Sequence, residues 1–162
     1  MKYELEKIEK TLLMPQLEGI GERLEYDIST LLNRAGIYFR IFYRAKTPYS
    51  IFQKINKEGY GFEETDKKMQ DLIGLRIVVY YLDDVKILQN VLDKTFCRMG
   101  EWAVTDTAQD EFKASKLNGV YRIPEEYCQI YNGDFGELPI DLTIEVQLRT
   151  VSFEGWHEIE HD

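Results

Sequence analysis

Cysteine, histidine and proline are scarce in this chain: 162 residues hold two, two and four of them. Cys97 and Cys128 lie too far apart for a CxxC site and could form one disulfide at most, which fits a reducing compartment and a cytoplasmic location. Long apolar runs are absent. No stretch approaches the roughly 18 apolar residues of a membrane span, and the opening MKYELEKIEK is charged, so neither a membrane segment nor an export signal is expected. Excess positive charge is lacking too. A net charge of −9 and a pI of about 4.8 oppose broad binding to duplex DNA, while leaving room for a small or local anionic ligand. There is no internal repeat and no low-complexity run, and 44% hydrophobic with 30% charged residues suits one globular domain over 1–162.

The apolar spacing is helical over residues 4 to 34, a helical lead-in that Pro15 and the Gly19/Gly21 pair should split into a short helix and a longer one. From Gly36 the period changes, and GIYFRIFYR alternates as a strand does. In AKTPYSIFQKINKEG, Thr47 can cap a helix, Pro48 can take its first position and Gly59 can close it. A further helical turn is expected within 65–72, then a strand in GLRIVVYYL and a helix in DDVKILQNVLDKTF. The stretch 98–118 is the least readable, and 132–139 is a turn-rich connector. DLTIEVQLRT alternates cleanly: Leu142, Ile144, Val146 and Leu148 face one way, and Asp141, Thr143, Glu145, Gln147 and Arg149 the other. A last helix should begin near Ser152 and be cut short at Asp162, so the sequence is expected to be a fragment. Strands and helices mixed without βαβ regularity predict an α+β fold with a mixed, largely antiparallel sheet flanked by helices.

Charge is segregated within this frame. Six basic residues, Arg34, Arg40, Arg44, Lys46, Lys54 and Lys57, occupy 34–57 with no acidic one, although acids outnumber bases overall. A solvated basic face is one reading. The other is an anion site, because Arg44 and Lys46 lie just ahead of a helix N-terminus and Ser50 and Lys54 share a helical face at i and i+4. A polyphosphate held there needs a divalent cation, and Mg²⁺ prefers one or two carboxylates plus phosphate oxygens. Asp71, just before a strand, and Glu145, on the polar face of another, are the candidates; a surface carboxylate on a solvated sheet face is the alternative for Glu145.

His157-Glu158-Ile159-Glu160-His161 matches the H-E-x-x-H zinc motif. A catalytic zinc takes three protein ligands, and one residue remains after His161, so the match is set aside as accidental.

Three blocks together resemble the synthetase domain of the RelA/SpoT alarmone synthetases. Arg44-Ala-Lys46-Thr-Pro-Tyr-Ser50-Ile-Phe-Gln-Lys54 resembles R-x-K-x-x-x-S-I-x-x-K, Asp71-Leu-Ile-Gly74-Leu-Arg76-Ile resembles D-x-x-G-x-R-I, and Glu145-Val-Gln147-Leu-Arg149-Thr150 with Trp156, Glu158, Ile159, Glu160 and His161 resembles E-x-Q-x-R-T and W-x-E-I-E-H. The resemblance spans about residues 36 to 162 and implies a nucleotidyltransferase-like synthetase fold. The implied reaction moves the β,γ-pyrophosphate of ATP to the ribose 3′-hydroxyl of GDP or GTP. Arg44, Lys46, Ser50, Lys54 and Arg76 would bind ATP, with Arg44 and Arg76 on the two adenine faces. Asp71 and Glu145 would hold Mg²⁺, Glu145 would also be general base, and His161 would support the site. Longer members add a hydrolase domain with metal-binding histidines; with both histidines at the C-terminal end here, no hydrolase activity is expected. Small members assemble through helices beyond this chain's end, so a longer chain could be a homo-oligomer.

The acceptor segment departs from the family's K-x-N-G-Y-R-S-x-H. Lys116-Leu-Asn118-Gly119-Val120-Tyr121-Arg122-Ile-Pro124 keeps Lys116, Asn118 and Gly119, displaces the tyrosine by one position and lacks the serine and histidine. Lys116, Asn118, Gly119, Tyr121, Gln147 and Arg149 are the candidate acceptor residues. A one-residue shift in a strand reverses a side chain's face, which puts the stacking role of Tyr121 and the preference for guanine in question. Two alternatives follow: a toxin-like relative acting on the 3′ end of tRNA or on an adenine nucleotide, and a degenerate nucleotide-binding sensor.

Overall fold

The computed structural model describes residues 2–60, 66–106, 115–128 and 135–151. Helix α1 (Leu5–Thr11) is followed by α2 (Met14–Arg34), β1 (Phe39–Ala45), α3 (Pro48–Lys57), β2 (Ile73–Val79), α4 (Leu82–Thr95), β3 (Ala103–Asp106), β4 (Ser115–Arg122), a 3₁₀ turn (Glu125–Tyr127) and β5 (Thr143–Thr150). The strands form one sheet in the order β1-β2-β5-β4-β3, antiparallel except for the parallel β2–β5 pair. This is the mixed α+β arrangement expected.

The alternation of β5 decides which face is covered. Ile144, Val146 and Leu148 are buried, as are Leu75 and Ile77 of β2 beside them, and they join the helices' apolar residues in one core. Leu17, Ile20, Leu24, Ile28 and Leu32 of α2 form a helically spaced stripe within it, and α2 runs along β1. Helix α2 is therefore a structural layer on the sheet, while α1 packs against α3. The other sheet face carries polar side chains.

Some expectations need correction. The helical break falls at residues 12–13 and puts Pro15 in the first turn of α2, where its missing N–H costs nothing. Gly19 and Gly21 lie inside α2. Gly21 is there because the ring of Tyr43 approaches to within 2.5 Å of where its Cβ would sit. Residues 66–72 form no helical turn; Met69 makes a parallel bridge to Ile140, and its backbone bonds to Pro139 and Asp141 fix an extended path. Helix α3 has the expected signals: Thr47 Oγ1 accepts from Ser50 N at 3.2 Å, Pro48 is its first residue, and Gly59 follows with φ 69°. The expected helix from Ser152, with His161, lies outside the described residues.

Candidate active site

The strand registers order the polar face into rows. Arg44 of β1 pairs with Gly74, Gly74 with Glu145, and Glu145 with Val120. The next row is Phe42, Arg76, Gln147 and Asn118, and the third is Arg40, Val78 and Arg149. Directly paired residues project to the same face, so Glu145 shares that face with Arg44 at the far end of its row and with Arg76 and Arg149 in the rows beyond, while its own paired neighbours are Gly74 and Val120. Gly74, between Arg44 and Glu145, has no side chain to fill the gap.

Arg44, Lys46, Ser50, Asp71, Arg76, Glu145 and Gln147 line a cleft of about 600 Å³ over rows one and two. Arg40, Phe42 and Val78 line it too. The reading by motif omitted these three, although the alternation Arg40-Ile-Phe42-Tyr-Arg44 already places two of them beside Arg44. The strand-to-helix loop is held by a backbone bond from Lys46 N to Leu72 O of 2.9 Å, which keeps Lys46 next to Asp71.

Asp71 is the electrostatic pivot. Its Oδ2 meets Lys54 Nζ at 2.9 Å and Lys46 Nζ at 3.2 Å. Burial alone would push its carboxyl up, but the Lys54 hydrogen bond and the charges of Lys46 and Lys54 outweigh this and hold it below the usual carboxylate range. Burial likewise pushes the Lys54 ammonium down, and Asp71, helped by Tyr60 and Glu58, more than offsets it, leaving Lys54 raised. Lys54 stands behind Asp71 and reaches the cleft through it.

Glu145 is set by a second relay. Arg76 donates to Gln147 Oε1 from Nε at 3.2 Å and from Nη2 at 3.1 Å, and Gln147 Nε2 donates to Glu145 Oε1 at 3.0 Å. The amide can serve both neighbours in one orientation only, with oxygen toward arginine and nitrogen toward carboxylate. Glu145 is thereby an acceptor with its second oxygen uncommitted among the described residues.

The two carboxylates suit a hard divalent cation. Asp71 Oδ1 is buried without a hydrogen-bond partner among the described residues, an orphaned anionic oxygen that a cation would satisfy. No group of three His, Cys, Asp or Glu side chains occurs among the described residues. Two carboxylates, with further oxygens from nucleotide and water, are the usual protein share of a Mg²⁺ site.

The acceptor candidates divide by face. Lys116 and Asn118 project with Arg149 and Gln147. Arg149, only 7% exposed, donates to Asn118 Oδ1 from both terminal nitrogens at 3.3 Å and to Leu148 O at 2.8 Å. Gly119 and Tyr121 face the core. A Cβ on Gly119 would stand 2.8 Å from the Trp102 ring. Tyr121 is fully buried, packs edge-on to Phe96 and Trp102, and donates to Asp93 Oδ1 at 2.5 Å. Its candidacy for acceptor contact is corrected: pairing with Ile144 turns its side chain away from Glu145. Val120 takes the place opposite the carboxylate.

Fold and site together define a class: an α+β protein whose bare sheet face sets arginines and lysines around two carboxylates. Comparison with known proteins narrows it. A family pattern described as "Region found in RelA / SpoT proteins" matches residues 43–162. The chain belongs to the RelA/SpoT family. Among curated relatives it is similar to the GTP pyrophosphokinase YjbM of Bacillus subtilis (strain 168), 28% identical over 151 residues, covering 92% of this chain and 64% of the relative. It is also similar to the GTP pyrophosphokinase rsh of Brucella melitensis, 25% identical over 85% of this chain and 16% of the relative. The chain thus spans under two thirds of the length of either. Among solved structures, a GTP pyrophosphokinase family protein from Streptococcus pneumoniae superposes with a TM-score of 0.60 at 22% identity, over 92% of this chain and 72% of that one. The small alarmone synthetase 1 from Bacillus subtilis bound to its product pppGpp gives 0.54 at 23%, over 90% and 72%. These likenesses establish a shared fold.

Proposed function

We propose that the protein is an ATP-dependent pyrophosphokinase that transfers the β,γ-pyrophosphate of ATP to the ribose 3′-hydroxyl of a guanine nucleotide, GDP or GTP. The observation that carries the proposal is the convergence of Asp71 and Glu145 on a cleft lined by Arg44, Lys46, Ser50 and Arg76. Naming of its relatives as GTP pyrophosphokinases supports the same reading.

In this reading Lys46 and Ser50 hold the ATP phosphates, with Lys54 acting behind them through Asp71, and Arg44 and Arg76 flank the adenine. Asp71 and Glu145 would hold Mg²⁺, which when bound offsets phosphate charge and polarises the transferred group. Glu145 takes the proton from the 3′-hydroxyl; that oxygen bonds to the β-phosphorus as the bond from it to the α,β-bridging oxygen breaks, and AMP leaves. The Arg76–Gln147 relay holds Glu145 in place, so catalysis rests on positioning and charge, with no covalent intermediate on the protein. Arg149, Asn118 and Lys116 would bind the acceptor, and the reaction would take place in the cytoplasm.

The test is to incubate the intact protein and Mg²⁺ with ATP labelled in its terminal phosphates and with GDP, GTP, AMP or tRNA in parallel. Label is expected in GDP or GTP. Label in RNA or AMP alone would overturn the guanine acceptor, and ATP binding without transfer to any acceptor would make the protein a sensor. Glu145→Gln is expected to lower transfer by about 10³-fold, within the range of a lost general base, with ATP binding retained.

A further inference from the structure

Phe42 has no part in the motifs or in the transfer chemistry, yet it is 52% exposed between two arginines on β1, the edge strand of the basic face. Arg40 and Arg44 flank it along β1, on the same face, and Arg76 is its cross-strand partner. Three arginines therefore neighbour Phe42 on this face, with the Arg76 guanidinium drawn to Gln147 Oε1. They have no acidic counterpart in the paired positions, which are Val78, Gly74 and Gln147. Of the other apolar residues lining the cleft, Tyr43 and Leu75 pair on the core face and Val78 is 2% exposed. Among the described residues, Phe42 is the large apolar surface the cleft offers a ligand.

Its place also fits. Same-face residues on a strand are roughly 7 Å apart, so Phe42 lies one step beyond Arg44 as seen from Lys46 and Asp71, as a base lies beyond the phosphates of its own nucleotide. A charged phosphate has no reason to settle on a phenyl ring, whereas a heteroaromatic base gains contact area there and guanidinium planes close over it.

We propose that Phe42 forms the base-contacting wall of the donor nucleotide subsite and gives it a preference for purines over pyrimidines through ring contact. The inference rests on the ATP reading above. With Arg44 and Arg76 on the two adenine faces, the phenyl ring meets the base along its edge, where an apolar contact reads size more than hydrogen-bond pattern, so the two-ring purine gains most from it.

Binding to the intact protein without acceptor tests this, with the non-hydrolysable triphosphate analogues of ATP and CTP titrated calorimetrically. The wild type is expected to bind the ATP analogue well ahead of the CTP analogue. Phe42→Ala should weaken the ATP analogue about fivefold, the low end of a base–aromatic contact, and the CTP analogue less, while Phe42→Tyr restores both values. Because Phe42 is half exposed on an edge strand, an unchanged Tm in Phe42→Ala is the expected control; should Tm fall, Phe42→Leu, which keeps the apolar bulk without the ring, replaces it in the same comparison. Unchanged ATP affinity, or an equal loss for both analogues, would overturn the inference. Failure of the wild type to bind the ATP analogue at all would instead defeat the donor reading on which it stands.

Discussion

Asp71 concentrates the site's electrostatics at one residue, because two ammonium groups share one of its oxygens while the other is buried without a hydrogen-bond partner among the described residues. Replacing it with asparagine keeps the shape and removes the charge, leaving Lys46 and Lys54 partly buried without their counterion. Its pH signature has a definite sign. A carboxyl whose folded-state pKa lies below the unfolded value of about 3.9 stabilises the fold above that value, and the contribution is lost as pH falls through the folded value. The wild-type Tm should therefore exceed that of Asp71→Asn at pH 7, and the gap should close as pH is lowered from about 5 toward 2. Thermal unfolding of the two proteins across that range checks this. A gap that persists at pH 2 would mean the carboxylate's charge is not what stabilises the loop. Sequence alone marked Asp71 through its place before a strand; its two lysine partners are a fact of the folded loop, since Lys54 is seventeen positions away.

At the scale of elements, α2 sets propensity against packing within two residues. Glycine inside a helix costs about 1 kcal/mol relative to alanine, so propensity alone makes alanine favourable at both Gly19 and Gly21. Nothing lies within 4 Å of a Cβ at Gly19, whereas one at Gly21 would press on the Tyr43 ring of β1. Gly19→Ala is expected to stabilise by up to about 1 kcal/mol, and Gly21→Ala to destabilise by about 1–2 kcal/mol, because overpacking exceeds the propensity gain. Urea unfolding of both variants would settle the sign, and stabilisation by Gly21→Ala would show that the sheet can yield there. The glycine pair looked like a helix break because a helix boundary and a close helix–sheet contact both select glycine, and only the position of Tyr43 separates them. By contrast, β5 was legible because burial on one face leaves a period of two. Tyr121 obeys the same rule: one residue of displacement from the family's tyrosine puts its ring in the core and Val120 opposite Glu145.

At the scale of the whole molecule, the parallel pairing of β2 with β5 joins residues some seventy positions apart and brings Arg76 to Gln147 and Gly74 to Glu145. Local periodicity carries no trace of such a partner, so the strands and most of the motif residues that line the cleft could be read in advance, but not the relay that positions Glu145. The same assembly explains how a chain of net charge −9 can present a cationic site: the strands collect Arg40, Arg44, Arg76 and Arg149 on one face and leave most acids elsewhere. The field that attracts a polyphosphate is then local, and it is felt by the ligand over about a Debye length, roughly 10 Å at 0.1 M salt. ATP affinity should fall as KCl is raised from 50 to 500 mM even though protein and ligand are both anionic overall. A field set by net charge would do the opposite, since screening would then relieve repulsion. Lys46→Gln, at the cleft, should flatten the salt dependence, and Lys10→Gln, on α1 and outside the lining, should leave it as it is. ATP affinity that rises with salt, or slopes altered equally by both variants, would place the governing charge on the molecule as a whole and not on its sheet face.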